Sequence, residues 1–306
     1  MQERRDFLKQ AVAAGAFAGF ARADESLPRN EWPILLFEKP VQALSYDEIG
    51  EQLASMGAQG IEATIRKGGH ILPENAAKEV PGMIRSLEKS GLRSIIAASD
   101  VTKADKRTEE FLNVLKDNGI TRYRLGFYRY EKGVNPFDQV QGLRDRLQAL
   151  AELNEKLGMQ GVYQLHSGHD GVGYVGSLVW DIAWMLKDID PDHLGLAYDL
   201  RHTRNDTGHS WKQAADVAHR HIRAIYIKDA KWEGERSDKR VNCALDTGFV
   251  NQSIFNYVRK DLQPMPISLH MEWGRQQIYP KDTAHEAWAM IRKDMKVLIK
   301  WRNAGS

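Results

Sequence analysis

The chain has 306 residues, of which 42% are hydrophobic and 27% are charged, a composition typical of a folded globular protein with a large core. Its 43 Lys and Arg residues nearly balance 41 Asp and Glu residues, so a net charge of +2 gives no basis for binding nucleic acid or a membrane surface. A small-molecule ligand is favoured instead. The single cysteine, Cys243, excludes an intrachain disulfide and a cysteine-rich metal site.

Residues 1–23 have the pattern of an export signal. Arg4-Arg5 is followed by Phe7-Leu8, by a weakly apolar run too short to span a bilayer, and by Ala21-Arg22-Ala23. We therefore predict a twin-arginine signal peptide over 1–23, a mature chain over 24–306, and a periplasmic or secreted protein that meets the membrane only through the export machinery. An amphipathic or anchoring helix is the alternative.

The next part of the chain shows four strand–helix units. The predicted strands are residues 33–37, 60–65, 93–99 and 122–128, and the predicted helices are residues 45–56, 74–90, 108–118 and 138–157. A glycine follows each helix, as expected for a helix that ends in a left-handed residue: Gly57, Gly91, Gly119 and Gly158.

Four further units continue this alternation to the end of the chain. The predicted strands are residues 161–166, 194–200, 224–228 and 267–272, and the predicted helices are 177–187, 211–219, 251–260 and 285–301. Eight units over a length near the ~250 residues typical of the fold predict a single-domain (β/α)8 TIM barrel. A doubly wound open sheet is the alternative, but no glycine-rich dinucleotide fingerprint follows the first strand. Residues 231–248 are interpreted as an irregular polar loop.

Polar side chains that could bind a metal recur where the later strands end. Gln164 and His166 share one side of their strand, Asp199 ends the next, and Lys228 and His270 end the last two. In a parallel barrel these ends meet at one mouth, so the residues are expected to form a site. Read singly, each has a structural alternative, such as an ion pair of Asp199 with Arg201 or Arg204, or an exposed Lys228–Asp229 pair.

The residue types at these strand ends suit a divalent cation and proton transfer. Asp199 offers a hard oxygen, and an imidazole and a carboxylate from His270 and Glu272 suit an open metal site. We predict one ion of manganese, zinc, cobalt or magnesium, with Asp199 and His270 as ligands. A lysine near a cation can act as an acid, a base or a clamp, so Lys228, His166 and Glu272 are the predicted catalytic residues.

Other polar and aromatic residues near the predicted mouth are interpreted as substrate contacts. Aromatic faces pack on the C–H faces of sugars, which favours two of the tryptophans, although a tryptophan on a barrel helix is more often core. The predicted substrate contacts are Glu62, His70, Arg124, Tyr128, His202, Trp232 and Trp273.

The segments Tyr-Gln-x-His-Ser-Gly (163–168), Tyr-Asp-x-Arg-His (198–202) and Ser-Leu-His-x-Glu (268–272) resemble the xylose isomerase-like barrel family, also called sugar phosphate isomerase/epimerase. The resemblance covers nearly the whole mature chain. It implies one divalent metal held by Glu, Asp, His and Glu from four later strands. By position, these places hold Gln164, Asp199, Tyr226 or a nearby histidine, and His270. Gln164 is thus a neutral ligand or a substrate contact, and only Asp199 keeps the common ligand type.

The same segments are most similar to an exported branch that processes sugars oxidised at carbon 3. The resemblance implies a metal-dependent isomerase, epimerase or lyase that removes a proton next to a sugar carbonyl, with a non-phosphorylated 3-keto-glycoside as the favoured substrate. A sugar-binding barrel that has lost its metal and has no catalytic activity is the alternative. The sequence leaves open whether the protein forms homo-oligomers.

Overall fold

The structure is a computed structural model that describes residues 32–168, 173–234 and 239–304. Eight parallel strands close into one barrel, which confirms the predicted single-domain (β/α)8 fold. Around the barrel the strand order is β1-β10-β7-β6-β5-β4-β3-β2. These strands are β1 (Ile34–Phe37), β2 (Gly60–Thr64), β3 (Arg93–Ala98), β4 (Arg122–Arg124), β5 (Gln160–Gln164), β6 (Leu194–Asp199), β7 (Ile222–Ile227) and β10 (Ile267–Leu269).

The connections between the strands carry the α-helices that cover the barrel. In chain order they are α1 (Tyr46–Ala54), α2 (Ala76–Lys89), α3 (Lys106–Asp117), α4 (Pro136–Leu157), α5 (Trp180–Leu186), α6 (Leu200–Thr207), α7 (Trp211–Ala218), α8 (Gln252–Arg259) and α9 (Ala284–Asn303).

The glycines predicted to end the first four helices adopt left-handed backbone. Their φ angles are +77° at Gly57, +70° at Gly91, +78° at Gly119 and +67° at Gly158. Side chains with a β-carbon rarely adopt this region, so glycine ends each helix at little conformational cost and turns the chain toward the next strand.

Helix starts are set by local hydrogen bonds as well. Ser45 and Glu48 form a capping box at the start of α1, in which the Ser45 side chain accepts from the Glu48 N–H and Glu48 Oε2 accepts from the Ser45 N–H at 2.9 Å. Such a cap contributes about 1 kcal/mol, and it fixes the start of the helix at Tyr46.

The barrel has an apolar layer on each side of its strands. A small cluster fills the lumen, and a much larger one lies between the strands and the helices. The lumen cluster consists of Leu35, Ile95, Ile96, Val162, Ala197, Ala224 and Tyr226. Because both faces of the parallel strands are buried, polar side chains reach solvent where the strands end, and this places the site at the mouth.

The structure differs from the predicted elements in three ways that affect the site. Residues 231–248 are not wholly irregular, because β8 (Asp229–Glu233) and β9 (Lys239–Cys243) pair as an antiparallel hairpin. Helix α6 follows β6 without a loop and was not predicted. Strands β5 and β10 end at Gln164 and Leu269, so the predicted site residues 166, 270 and 272 follow strands rather than belong to them.

Across the described ranges, none of the helices combines the length and apolarity needed to cross a membrane. The predicted signal peptide, residues 1–23, lies outside the residues that the structure describes.

Candidate active site

The base of the mouth is organised around Glu62 on β2, which is fully buried. Its Oε1 lies 3.2 Å from Arg124 Nε and accepts from the Tyr226 hydroxyl at 2.9 Å. Its Oε2 accepts from Ser268 Oγ at 2.6 Å and lies 3.0 Å from His270 Nε2. We call these five residues the floor. They come from strands β2, β4 and β7 and from the end of β10, so the floor ties opposite sides of the barrel together.

The floor keeps Glu62 ionised. Burial by itself would raise the pKa of this carboxyl, but the adjacent Arg124 guanidinium and the hydrogen-bonded His270 more than offset it and hold the pKa at about 2. His270 is fixed further by stacking on Phe37, with 4.4 Å between ring centroids. Glu62 was predicted to contact substrate, and here both of its oxygens already face protein donors.

A chain of hydrogen bonds leads from the floor toward β6. Arg124 Nη1 donates to Gln164 Oε1, and Gln164 Nε2 donates to Asp199 Oδ2 at 2.9 Å. A guanidinium on one side and a carboxylate on the other fix which way the amide points. Asp199 Oδ1 accepts from the His202 N–H at 3.0 Å, so the residue also caps α6, which explains why that helix begins directly after β6.

Above this chain lies a cluster of charged residues that we call the rim: Arg201, Lys228 and Glu272. Lys228 Nζ lies 3.3 Å from Asp199 Oδ2 and donates to Glu272 Oε1 at 2.9 Å. Arg201 Nη2 donates to Glu272 Oε2 at 3.1 Å. Lys228 is buried, so it does not form the exposed pair with Asp229 that the sequence left open. Arg201 pairs with Glu272 rather than with Asp199.

Glu272 is the carboxylate of this network that solvent reaches, because a third of its side chain is exposed. Burial would raise its pKa, but the Lys228 ammonium, followed by His270 and Arg201, holds the pKa well below its usual range. The Arg201 Nε–H is buried and has no hydrogen-bond partner within the described ranges. The rim therefore combines an ionised carboxylate, an ammonium and an unsatisfied guanidinium donor.

Two histidines in contact with each other adjoin the rim. The rings of His166 and His202 are tilted by 37°, with 3.7 Å between their centroids, and His202 Nδ1 accepts from the Ser167 N–H at 3.0 Å. The Ser167 hydroxyl in turn donates to Asp206 at 2.8 Å. Burial, followed by the nearby Lys228 charge, lowers the pKa of His166 to about 2 and that of His202 well below its usual value. Both rings are therefore neutral at physiological pH.

The β8–β9 hairpin covers one side of the rim. Asn242 Nδ2 donates to the Glu272 carbonyl oxygen at 3.0 Å. Trp232 lies opposite Arg240 and Ala230 opposite Asn242, and residues directly opposite or two apart share a face of a hairpin. Burial, followed by the Arg201 charge, lowers the pKa of Arg240. Trp232, 46% exposed, therefore lies on the hairpin face that is turned toward the mouth.

The other predicted substrate contacts have partners outside this network. His70 Nδ1 lies 3.2 Å from the buried carboxylate of Glu38, at the end of β1. The Tyr128 hydroxyl donates to the Thr102 carbonyl oxygen at 2.6 Å. The Trp273 indole N–H donates at 2.7 Å to Asp294 on α9, away from the floor. Sequence reasoning missed Ser268, Arg201 and Glu38 as members of these clusters, because none of them stands out by type or spacing.

The atoms of the predicted metal ligands all face other partners. The amide oxygen of Gln164 faces a guanidinium, Asp199 Oδ2 faces an amide N–H and an ammonium, and His270 Nε2 faces Glu62. Each of these atoms thus already interacts with a hydrogen-bond donor or with a charged group of the protein. Within residues 32–168, 173–234 and 239–304, no three His, Cys, Asp or Glu side chains are grouped so that they could hold a metal ion. The donor set does not fit the predicted ion.

Solved structures with the same fold include sugar epimerases. D-Psicose 3-epimerase from Clostridium cellulolyticum H10, with D-tagatose, is 12% identical, covers 90% of this chain and 99% of its own, and has a TM-score of 0.66. A 3-keto-D-glucoside 4-epimerase from E. coli is 14% identical, covers 89% and 100%, and has a TM-score of 0.62. A xylose isomerase-like TIM barrel protein from Mycobacterium smegmatis in complex with magnesium is 13% identical, covers 91% and 99%, and has a TM-score of 0.65.

These likenesses show the fold, because all the identities are low. A comparison with curated proteins finds no match. The sequence itself matches the family model described as xylose isomerase-like TIM barrel over residues 51–294, which includes every strand from β2 to β10. The chain therefore belongs to the xylose isomerase-like TIM barrel family.

Proposed function

We propose that this protein is a sugar isomerase, epimerase or lyase that removes a proton from the carbon next to a sugar carbonyl. The observation that carries the proposal is the rim, where a partly exposed carboxylate lies 2.9 Å from an ammonium and 3.1 Å from a guanidinium. Proton removal needs a base beside a group that stabilises the negative charge forming on the carbonyl oxygen, and the rim offers both.

Glu272 is the proposed base. Its carboxylate is ionised at physiological pH and a third of its side chain is exposed at the mouth, whereas His166 Nδ1 is bound to the Ser167 carbonyl oxygen and Lys228 is engaged in ion pairs. When a substrate oxygen draws the Lys228 ammonium toward itself, Glu272 loses part of its counter-charge and becomes more basic. Proton removal and charge stabilisation are then coupled through one ion pair.

Lys228 and Arg201 are the proposed donors to the oxygen of the enediolate. Arg201 Nε–H lacks a partner in the described part of the chain, and a buried unsatisfied donor costs about 1–3 kcal/mol, which a substrate oxygen would recover. His166, as a neutral ring, offers hydrogen bonds to a sugar hydroxyl. Return of the proton to the other face or to the neighbouring carbon gives an epimer or an isomer, and loss of a β-substituent gives elimination.

The proposed substrate is a non-phosphorylated 3-keto-glycoside. The ketone at carbon 3 acidifies the protons on its two neighbouring carbons, which is the chemistry that the rim suits. The similar fold of a 3-keto-D-glucoside 4-epimerase also supports this choice. Export by the twin-arginine route, proposed from Arg4-Arg5, supports it too, because phosphorylated sugars are kept in the cytoplasm. Replacing both arginines with lysine should abolish periplasmic accumulation, and unchanged accumulation would contradict that route.

Deuterium exchange tests the proposed reaction. A 3-keto-glucoside and its unoxidised parent are incubated with the protein in heavy water and followed by NMR. We expect deuterium at carbon 2 of the remaining keto sugar, where a solvent deuteron returns to the enediolate, and in the rest loss of the anomeric substituent to give a carbon 1–carbon 2 double bond. The parent should not react. Exchange without cleavage would assign an isomerase or epimerase, and cleavage of the parent would contradict proton abstraction.

A carboxylate variant tests the role of Glu272. Glu272→Gln keeps the size of the side chain and removes the base, so we expect turnover to fall by about 10²–10⁴-fold. The matched control is Glu233→Gln, an exposed glutamate on β8 that pairs with Lys231 at 2.8 Å, which should leave turnover unchanged. Equal activity of both variants would exclude Glu272 as the base.

The alternative is a sugar-binding barrel without catalytic activity. The loss of an acidic ligand at Gln164 favours it. Saturable binding of the keto sugar without any deuterium exchange would support this alternative over an enzyme.

A further inference from the structure

Lys228 lies at the mouth of the barrel between two carboxylates. The residue follows β7, is 4% exposed, and its ammonium lies between Asp199 at the end of β6 and Glu272 after β10. Strand register holds it there: Tyr226, two residues earlier and on the same side, pairs with Asp199 on one neighbour and with Ser268 on the other. The lysine stem is thus directed into the mouth by the sheet itself.

The charges around this ammonium are already balanced. Asp199 and Glu272 carry two negative charges, and Lys228 and Arg201 carry two positive charges. Gln164, at the place of an acidic ligand, adds no charge. A divalent cation entering beside Asp199 would meet an ammonium 3.3 Å from the oxygen that it must bind. Like charges at such a separation in a buried site repel strongly, so the cation and Lys228 exclude each other.

We propose that Lys228 takes the place of the divalent cation in this barrel, so that an ammonium rather than a metal stabilises the negative charge on the substrate oxygen. An ammonium has three N–H donors, of which Asp199 and Glu272 receive two, and the third can serve a ligand. The role on substrate rests on the proposed function, whereas the exclusion of the metal does not.

Metal binding by the full-length wild-type protein tests the proposal without any substrate. The protein is stripped with a chelator and titrated in turn with Mn²⁺, Mg²⁺ and Zn²⁺, with elemental analysis after dialysis and thermal unfolding in parallel. We expect far less than one equivalent, roughly 0.1 or below, and no rise in the unfolding midpoint, because a ligand that binds the folded state raises it. About one equivalent bound, and lost in Asp199→Asn, would overturn the proposal.

A reconstruction of the metal site gives the opposite expectation. Gln164→Glu with Lys228→His supplies a carboxylate and an imidazole beside Asp199, and this double variant should bind about one Mn²⁺ and unfold at a higher temperature when Mn²⁺ is present. If the double variant does not fold, Lys228→Met alone is tested for a gain of Mn²⁺ affinity over wild type. Tighter binding by either variant supports the proposal, and unchanged binding by folded Lys228→Met counts against it.

Turnover of the keto sugar provides the last test. Activity should be unchanged by chelator and should fall by about 10²–10³-fold in Lys228→Met. The matched control is Lys231→Met, an exposed lysine three residues later that pairs only with Glu233 among its described contacts. Loss of activity on chelation that returns with metal would overturn the proposal. A protein with no activity on any keto sugar would contradict the proposed function alone and leave the metal titration to decide this inference.

Discussion

The floor and the rim each contain a glutamate, and the two glutamates differ in exposure and in the kind of partner that holds them. Glu62 in the floor is fully buried, and both of its oxygens accept from protein donors. Glu272 in the rim is one-third exposed and is held by two side-chain cations. Both carboxyls have lowered pKa values, so charge state does not distinguish them.

The difference shows that the same residue type has a structural role at one position and a chemical role at another. A carboxylate saturated by Arg124, Tyr226, Ser268 and His270 fixes the geometry of the mouth and cannot accept a proton without breaking that geometry. A carboxylate held by the charged groups of a lysine and an arginine can exchange partners when a substrate arrives. We therefore expect floor variants to lose stability and rim variants to lose activity.

The largest expected effect comes from removing the floor carboxylate. Glu62→Ala leaves the Arg124 guanidinium buried without its partner, so the free energy of unfolding should fall by about 3–5 kcal/mol. Urea denaturation followed by circular dichroism measures it. Glu272→Ala is the matched variant and should cost less, because its side chain is partly exposed, Lys228 keeps Asp199 and Arg201 Nη2 keeps His202 Nε2. Similar losses in the two variants would remove the distinction between floor and rim.

The acid dependence of stability should be the next largest effect. The folded-state pKa of Glu62, about 2, lies below the ordinary value of 4.5, so its ionised form stabilises the fold above pH 4.5. That contribution, on the order of 3 kcal/mol, is lost as the pH falls from 4.5 toward 2. Urea midpoints of wild type and Glu62→Gln should therefore converge over this interval. A constant difference between them would show that Glu62 does not have a lowered pKa.

The smallest expected effect concerns the hairpin that borders the rim. Trp232→Ala should raise KM for the sugar about fivefold, near 1 kcal/mol of binding, and change stability by less than roughly 0.5 kcal/mol, because the side chain is 46% exposed. Trp180→Ala on α5, 59% exposed and without a described contact to the floor, the rim or the β8–β9 hairpin, is the control and should change neither quantity. Equal KM values for Trp232→Ala and wild type would remove Trp232 from the binding surface.

The sequence predicted which residues lie at the mouth, because this depends on where the strands end. It did not predict which side chains pair with each other. Gln164, Asp199, Lys228 and His270 were expected at the mouth because polar residues that end apolar runs must lie where parallel strands end. The pairing of Lys228 with Asp199 and Glu272 was not predictable, since it joins residues 29 and 44 positions apart. Ligand types for a divalent ion can be recognised in a sequence, but an ammonium beside them cannot, for the same reason.

The amino-acid sequence by itself determined the eight alternating strand–helix units and the helix ends, because these follow from hydrophobic period, caps and glycines that act within a few residues. Only the tertiary structure decided that β8 and β9 pair beside the rim and that both oxygens of Glu62 accept from floor residues. It also decided that Glu272 is partly exposed between two cations. These features depend on barrel closure, which pairs β1 with β10. Closure brings charged side chains that are distant in the sequence together in a buried region, where they interact strongly.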